Sequence, residues 1–500
     1  MSFAIYDGCP GPGYWERDNS HFPLPMSRHL WELFLPAYDA GTRKGLARYG
    51  SLIDHFDFAR IKGRLYIKTC LVTQSEDIQN RFRTSEEALA TKLWRRDRSE
   101  WRSIHEDLRQ RLMRFSKVDP GRMDSPQLHA HVAALREIFL EGTFRHFFQQ
   151  PSSMFPVGDW VRNVCEWTGA TSGAALNVLR GSHPGSADFF HALDRLDEYA
   201  DRIITGFDIL DLTLRELPQL NLNSLDRRPE GAPKDGADLL DAEATLRARV
   251  PAGARNEFDE GLAEAKAAYG LHDEDVRITY LWPLGLIRRA VLAAAGQFID
   301  RGRLYQSDHI FQTTPAELDA ILNGCPSPSP EELSRRAEEF AAWKDEPSPS
   351  SFGEREPASI RPPAACARVN AAITFYLGQM EDHPPANGAQ ESWSLMVVGL
   401  PASPGRYEGW ARVVRDPADF RKLGKGDVLI AHTTSPAYNV ILPLIGAVVT
   451  DRGGALCHCA IIAREFGIPA VVGTDRATSR IPDGARILVD GDRGFVAVHS

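Results

Sequence analysis

The chain has 500 residues, 43% of them hydrophobic and 25% charged, the balance of a soluble globular protein too long for one ordinary core, so two or three domains are expected. A formal net charge of −9 argues against a nucleic-acid or anionic-membrane partner. The opening residues have no basic stretch ahead of an apolar run, and no run of about 18 apolar residues occurs. The seven cysteines are scattered, so a cytoplasmic protein with reduced thiols, no signal peptide and no membrane span is expected.

Residues 1–345 read mainly as helices and are expected to form one large helical domain. Thr84-Ser-Glu-Glu opens a helix that runs through Leu93, Trp94 and Trp101 toward Leu112. Ser125-Pro126 supplies an N-cap and a proline at the first helical position, and Leu128, Val132, Leu135 and Phe139 follow at helical spacing. Segments 251–268 and 284–301 read as amphipathic helices, and Pro315 and Pro330 each begin a short one. Strand patterns are few, Arg64-Leu-Tyr-Ile-Lys68 being one. Two stretches, 344–363 and 381–390, are rich in residues that cannot pack a core, so 346–392 is expected to be a linker region with a short packed segment. A tether of a dozen such residues reaches roughly 40 Å at up to ~3.3 Å per residue.

From Trp393 the pattern changes. Short β-runs recur at 395–398, 411–414, 428–430, 447–449, 470–472, 487–489 and 495–498, with helical segments between some of them. A compact β/α domain over 393–500 is expected. Within it, Thr450-Asp-Arg-Gly-Gly-Ala-Leu-Cys-His458-Cys places a histidine where a glycine turn meets a helix start. Exposed backbone N–H groups and the positive helix end favour an anion there. An imidazole with a reference pKa of about 6.5 is largely neutral and nucleophilic at cellular pH. Gly453 and Gly454 allow close backbone approach to a phosphate, and Thr434 and Ser435 in the loop after residue 430 offer hydroxyl donors.

The stretches 399–409, 426–430, 450–473 and 481–491 together resemble the phosphohistidine swivelling domain (the mobile domain of phosphoenolpyruvate-utilising enzymes). That domain is shared by phosphoenolpyruvate synthase, pyruvate phosphate dikinase, rifampin phosphotransferase and phenylphosphate synthase. The resemblance implies that His458 is the phosphorylated residue. The family often has Ser or Thr before this histidine and Ala after it; this chain has Cys457 and Cys459. Less tightly, 15–27, 285–292, 300–304 and 308–318 resemble the substrate-binding domain of rifampin-phosphotransferase-like and phenylphosphate-synthase-like proteins. The implied fold is a large, mainly helical substrate-binding domain followed by a small β/β/α swivelling domain.

Relatives take the phosphoryl group from ATP through an ATP-grasp domain, for which this chain has no room, and no Gly-x-x-x-x-Gly-Lys-Ser/Thr loop occurs. The resemblance therefore implies one subunit of a two-component phosphotransferase. ATP and Mg²⁺ would sit on a separate ATP-grasp subunit, with His458 as carrier and a small hydroxyaromatic compound as acceptor. Acceptor-site candidates are Arg17, Asp18, His21, Asp273, Glu274 and Arg277, as phosphate-steadying cations or proton-taking bases beside many aromatic residues. Each has a plainer reading: a helix-cap histidine at 458, a structural motif around His21, a solvated turn at 273–275. A rifamycin-type acceptor, or a regulatory protein that kept the swivelling domain, are the competing functions. A metal set from Cys457, His458 and Cys459 is disfavoured because consecutive side chains point in different directions.

Overall fold

The computed structural model describes residues 4–6, 10–19, 21–182, 204–217, 237–354, 361–380, 395–415, 417–435, 438–439 and 441–499. They fall into two compact units, one built from Met1–Pro151, Ala200–Thr213 and Asp275–Ala367, the other from Ser152–Tyr199, Leu214–Glu274 and Arg368–Ser500. The chain passes between the units several times, so they partition it differently from boundaries drawn in sequence order at 345 and 393. Stretch 381–390 lies outside the described residues.

The first unit carries a five-stranded sheet ordered β1-β3-β4-β2-β5, with β1 Ala4–Tyr6, β2 Trp15–Arg17, β3 Ile53–Ile61, β4 Arg64–Leu71 and β5 Ser351–Phe352. Strands β3 and β4 form a hairpin whose two loop residues, Lys62 (φ 48°) and Gly63 (φ 73°), both take left-handed backbone, matching the twist of the strands. The run at 64–68 is thus the start of β4. Its partner β3 escaped the sequence because Ile53-Asp-His-Phe-Asp-Phe breaks clean alternation. Strand β5 lies within the stretch expected as linker and pairs with β2.

The core helix of this unit is Trp282–Asp300, with Leu284, Ile287, Ala290, Val291, Ala294 and Ala295 all buried. Together with the turn before it, Arg277–Asp300 is long and apolar enough to cross a membrane, with mean hydropathy 1.2 in its richest window. Yet 83% of that window is buried inside the protein, which explains its apolar character on all sides. Helices start where capping side chains stand: Ser27, Thr314 and Ser329 each accept from the first turn, and Thr314 with Glu317 forms a full capping box. Thr84 does not open a helix. It sits inside Ser75–Ala90, its hydroxyl donating to the Asn80 carbonyl four residues back, and the break falls later, at left-handed Lys92 before Leu93–Ser116.

The second unit holds an eight-stranded sheet ordered β6-β13-β12-β8-β9-β10-β11-β7. Its strands are β6 Leu395–Val398, β7 Leu400–Ser403, β8 Arg406–Val414, β9 Val428–Ala431, β10 Ala447–Thr450, β11 Ala470–Val472, β12 Arg486–Asp490 and β13 Phe495–Val498. Strands β8 to β11 run parallel and the flanking pairs antiparallel. Val413, Val428, Ile430, Ala447, Val449, Ile487, Val489, Val496 and Val498 alternate onto one buried face. In β9 and β10 the intervening Leu429 and Val448 are buried too, as parallel strands require. The expected β-runs all recur as strands; β7 is the addition. Helical segments belong to this unit as well. Trp160 Nε1 donates to the Phe258 carbonyl at 3.1 Å, Arg368 grips Asp159, and Gly158 lies so close to the Ala372 carbonyl that a Cβ would sit 2.2 Å from its oxygen.

Candidate active site

Strands β9 and β10 are parallel in register, Ile430 beside Val449 and Ala431 beside Thr450, so the loops that follow them leave the same edge of the sheet. The loops are zipped together by Asp451 N–H to the Ala431 carbonyl (3.0 Å) and Arg452 N–H to the His432 carbonyl (2.9 Å). This carboxyl edge of parallel strands is where open α/β sheets place ligands. Here Thr434 from one loop meets His458 from the other, and Ser435 is buried beside Thr434 in the same loop.

His458 is the first residue of the helix His458–Phe466. Its Nδ1 lies 3.4 Å from Thr434 Oγ1. The residue is half-buried and its Nε2 is covered. Gly453 has φ +114°, and a Cβ there would meet Cys457 Sγ at 2.6 Å, so no other residue fits the turn without displacement. Gly454 closes the turn by accepting the Cys457 N–H at 3.1 Å. Cys457 is the N-cap but makes no side-chain cap hydrogen bond. Cys459 is buried, and burial with the neighbouring Cys457 pushes its thiol well above the ordinary range. It serves as a small packing group.

Two partners of this site were not singled out from sequence. His432 Nδ1 lies 3.3 Å from Asp451 Oδ2, and the buried Asp451 also accepts from the Thr478 amide and hydroxyl. Arg464 is wholly buried. It donates to the carbonyls of Ala402 (2.6 Å) and Ala455 and its Nε lies 3.2 Å from Tyr269 Oη, tying the histidine loop to β7 and to the helical part of the same unit. An arginine on the apolar face of Cys-Ala-Ile-Ile-Ala-Arg-Glu-Phe was the available signal.

The acceptor candidates separate. His21 and Asp18 form a pair: the His21 amide donates to Asp18 Oδ1 at 2.9 Å and Nδ1 lies 3.3 Å from both carboxylate oxygens. Surrounding protein disfavours the charged ring, but the Asp18 charge and hydrogen bond outweigh it and raise the His21 pKa. The side chain keeps 44% exposure, so solvent reaches it. The His21 ring stands edge-on to Phe207 at 5.3 Å, and Phe207 meets Tyr280 at 5.9 Å and Phe22 at 6.3 Å. Tyr280 lies in the π-helical turn Arg277–Leu281, so Arg277 opens the segment that enters this aromatic group. Arg17 is held by Asn19 and the Ser348 carbonyl. Asp273 and Glu274 fall in the helix Leu271–Val276, and their side chains lie outside the described residues.

Residues 423–494 match the family model of the PEP-utilising enzyme mobile domain. The chain is 44% identical over 119 residues to phosphoenolpyruvate synthase from Aeropyrum pernix, covering 24% of this chain and 14% of that protein. It is 30% identical over 213 residues to rifampicin phosphotransferase from Streptomyces sviceus, covering 43% and 22%. Identity to chondramide synthase from Chondromyces crocatus is 30% over 261 residues, covering 51% and 6%. The two longer matches exceed the length of the C-terminal sheet region, so the likeness extends into the helical segments. The chain spans less than a quarter of the length of each of these relatives.

Proposed function

We propose that this chain is the phosphohistidine carrier and acceptor-binding component of an ATP-dependent phosphotransferase acting on a small hydroxylated, phenolic compound. One observation carries the reading: His458 begins a helix on a glycine turn at the carboxyl edge of parallel strands, its ring against a buried threonine hydroxyl. The matched mobile-domain family supports the same assignment.

In this reading a neutral His458 nitrogen attacks a phosphoryl phosphorus, forming P–N as the donor's P–O bond breaks. Backbone amides of the first turn and the Thr434 hydroxyl steady the new charge. The acceptor hydroxyl then attacks phosphorus, P–N breaks, and the hydroxyl proton passes to a base. His21, oriented by Asp18 at the rim of the Phe22–Phe207–Tyr280 group, is the base this reading assigns. ATP and Mg²⁺ are left to a separate ATP-grasp subunit. Asp451, at the start of the histidine loop, is already engaged by Thr478 and His432 and makes a poor metal cradle. Identity to rifampicin phosphotransferase favours a second reading for the acceptor, a rifamycin-type polyketide.

The test is direct phosphorylation with phosphoramidate, a small-molecule histidine phosphorylator, followed by a chase with phenol, substituted phenols and a rifamycin, read by ³¹P NMR. Phosphate-ester formation with one class and loss of the phosphoramidate signal support the reading. Hydrolysis to inorganic phosphate alone, with every acceptor, rejects the acceptor-binding role.

A further inference from the structure

On the β3–β4 hairpin three side chains with metal-ligand chemistry converge, none of them among the residues of the His458 loop or the His21 pair. His55 and Asp57 are two apart on β3 and so share a face of the strand; Cys70 is the residue paired with His55 on β4. His55 Nε2 lies 3.4 Å from Asp57 Oδ1, and Cys70 Sγ lies 3.3 Å from Asp57 Oδ2. The three donor atoms all fall within 4.8 Å of one another. Ligands at about 2.0–2.3 Å from a tetrahedral Zn²⁺ stand about 3.3–3.7 Å apart, so little movement closes the set.

The second coordination layer is also in place. Asp54 Oδ2 lies 2.8 Å from His55 Nδ1, which fixes the ring so that Nε2 points at Asp57. Asp54 is itself held by Arg43 at 3.2 Å and Arg81 at 3.1 Å. A carboxylate on the far nitrogen of a histidine is the usual support of a metal-bound imidazole. Paired strands make a rigid frame for such a set. One group competes: Lys68 Nζ sits 2.8 Å from Asp57 Oδ2.

We propose that His55, Asp57 and Cys70 form a mononuclear Zn²⁺ site with its fourth position open to water. The metal takes the place of the thiol proton that Cys70 now donates to Asp57, and it displaces Lys68. One nitrogen, one thiolate and one carboxylate select zinc-like ions over Mg²⁺ and Ca²⁺, which want oxygen alone. The site is independent of the phosphotransfer reading.

The metal-free 500-residue chain titrated with Co²⁺ as a spectroscopic stand-in should show tetrahedral ligand-field bands and a sulfur-to-cobalt charge-transfer band, abolished by Zn²⁺ in one equivalent. Cys70→Ser should remove the charge-transfer band while the other cysteines remain. Asp54→Asn should weaken binding about 10–100-fold. Lys68→Met, which keeps every ligand and frees Asp57, should tighten it. A charge-transfer band that survives Cys70→Ser, the lack of any such band in wild type, or weaker binding in Lys68→Met overturns the proposal.

Discussion

At the residue scale, the histidine loop is a set of contacts with little tolerance. In Gly453→Ala the left-handed backbone and the Cys457 sulfur oppose the new methyl together, so the His458 ring is displaced. We expect phosphorylation by phosphoramidate to slow at least tenfold, equivalent to about 1.4 kcal/mol, with the fold retained by circular dichroism. Thr434→Val should leave stability nearly unchanged and slow both charging and discharge of His458. Equal rates in wild type and Thr434→Val would remove that hydroxyl from the mechanism.

The His21–Asp18 pair makes a pH prediction. The folded pKa of His21 is raised, so the pair's contribution to stability is complete below the ordinary value of about 6.5 and fades as pH rises through the higher folded value. Asp18→Asn should therefore cost stability at about pH 5.5 and little at about pH 9 in urea unfolding. If His21 is the base, acceptor phosphorylation rises with pH through the same raised value, and Asp18→Asn moves that rise to lower pH. A purely structural pair would shift stability and leave the rate profile in place.

These residues were unequally legible in the sequence. His458, Gly453 and Gly454 lie in one contiguous stretch, where a glycine turn before a helix start and the resemblance to the mobile domain both pointed to them. His432 and Asp451 are nineteen positions apart and meet because β9 and β10 run parallel in register, which no local pattern reveals. The group around His21 was half visible: the pair is local, whereas Phe207 and Tyr280 reach it through tertiary packing.

At the element scale, Arg464 links the loop carbonyl of Ala455, the β7 carbonyl of Ala402 and Tyr269. Arg464→Met keeps the length of the side chain and leaves two carbonyls without their donor. The expected cost is about 1–3 kcal/mol, with faster amide hydrogen exchange over 453–458 than over β12 and β13. Uniform loss of protection across the sheet would mean that Arg464 serves the whole unit instead of the loop. The C-terminal strands were readable because their buried residues alternate or run continuously within four or five positions. The first unit's sheet was not, since β1, β2 and β5 are only two or three residues long and depend on partners up to about 340 positions away.

At the scale of the whole molecule, one buried histidine contributes to the response to acid. His29 is fully buried in the first unit; desolvation and the Arg136 charge lower its pKa to about 3. Between about 6.5 and 3 the unfolded chain binds a proton that the folded unit refuses, so stability falls as pH falls, by about 1.4 kcal/mol per pH unit. Replacing it by glutamine should flatten the acid limb of the unfolding curve by one proton; an unchanged slope would show that another group dominates. The division into two units, each assembled from separate stretches of chain, was not legible, because hydrophobic periodicity identifies helices but not which core each one joins.

The central claim is that His458 carries a phosphoryl group. It is tested most directly by incubating the full chain with phosphoramidate and mapping the modification by mass spectrometry under alkaline conditions, where phosphohistidine survives. The account predicts one dominant acid-labile phosphoryl group, on His458, absent from His458→Ala and released on adding the acceptor. Phosphorylation spread over other histidines at the same level in wild type and His458→Ala would contradict it.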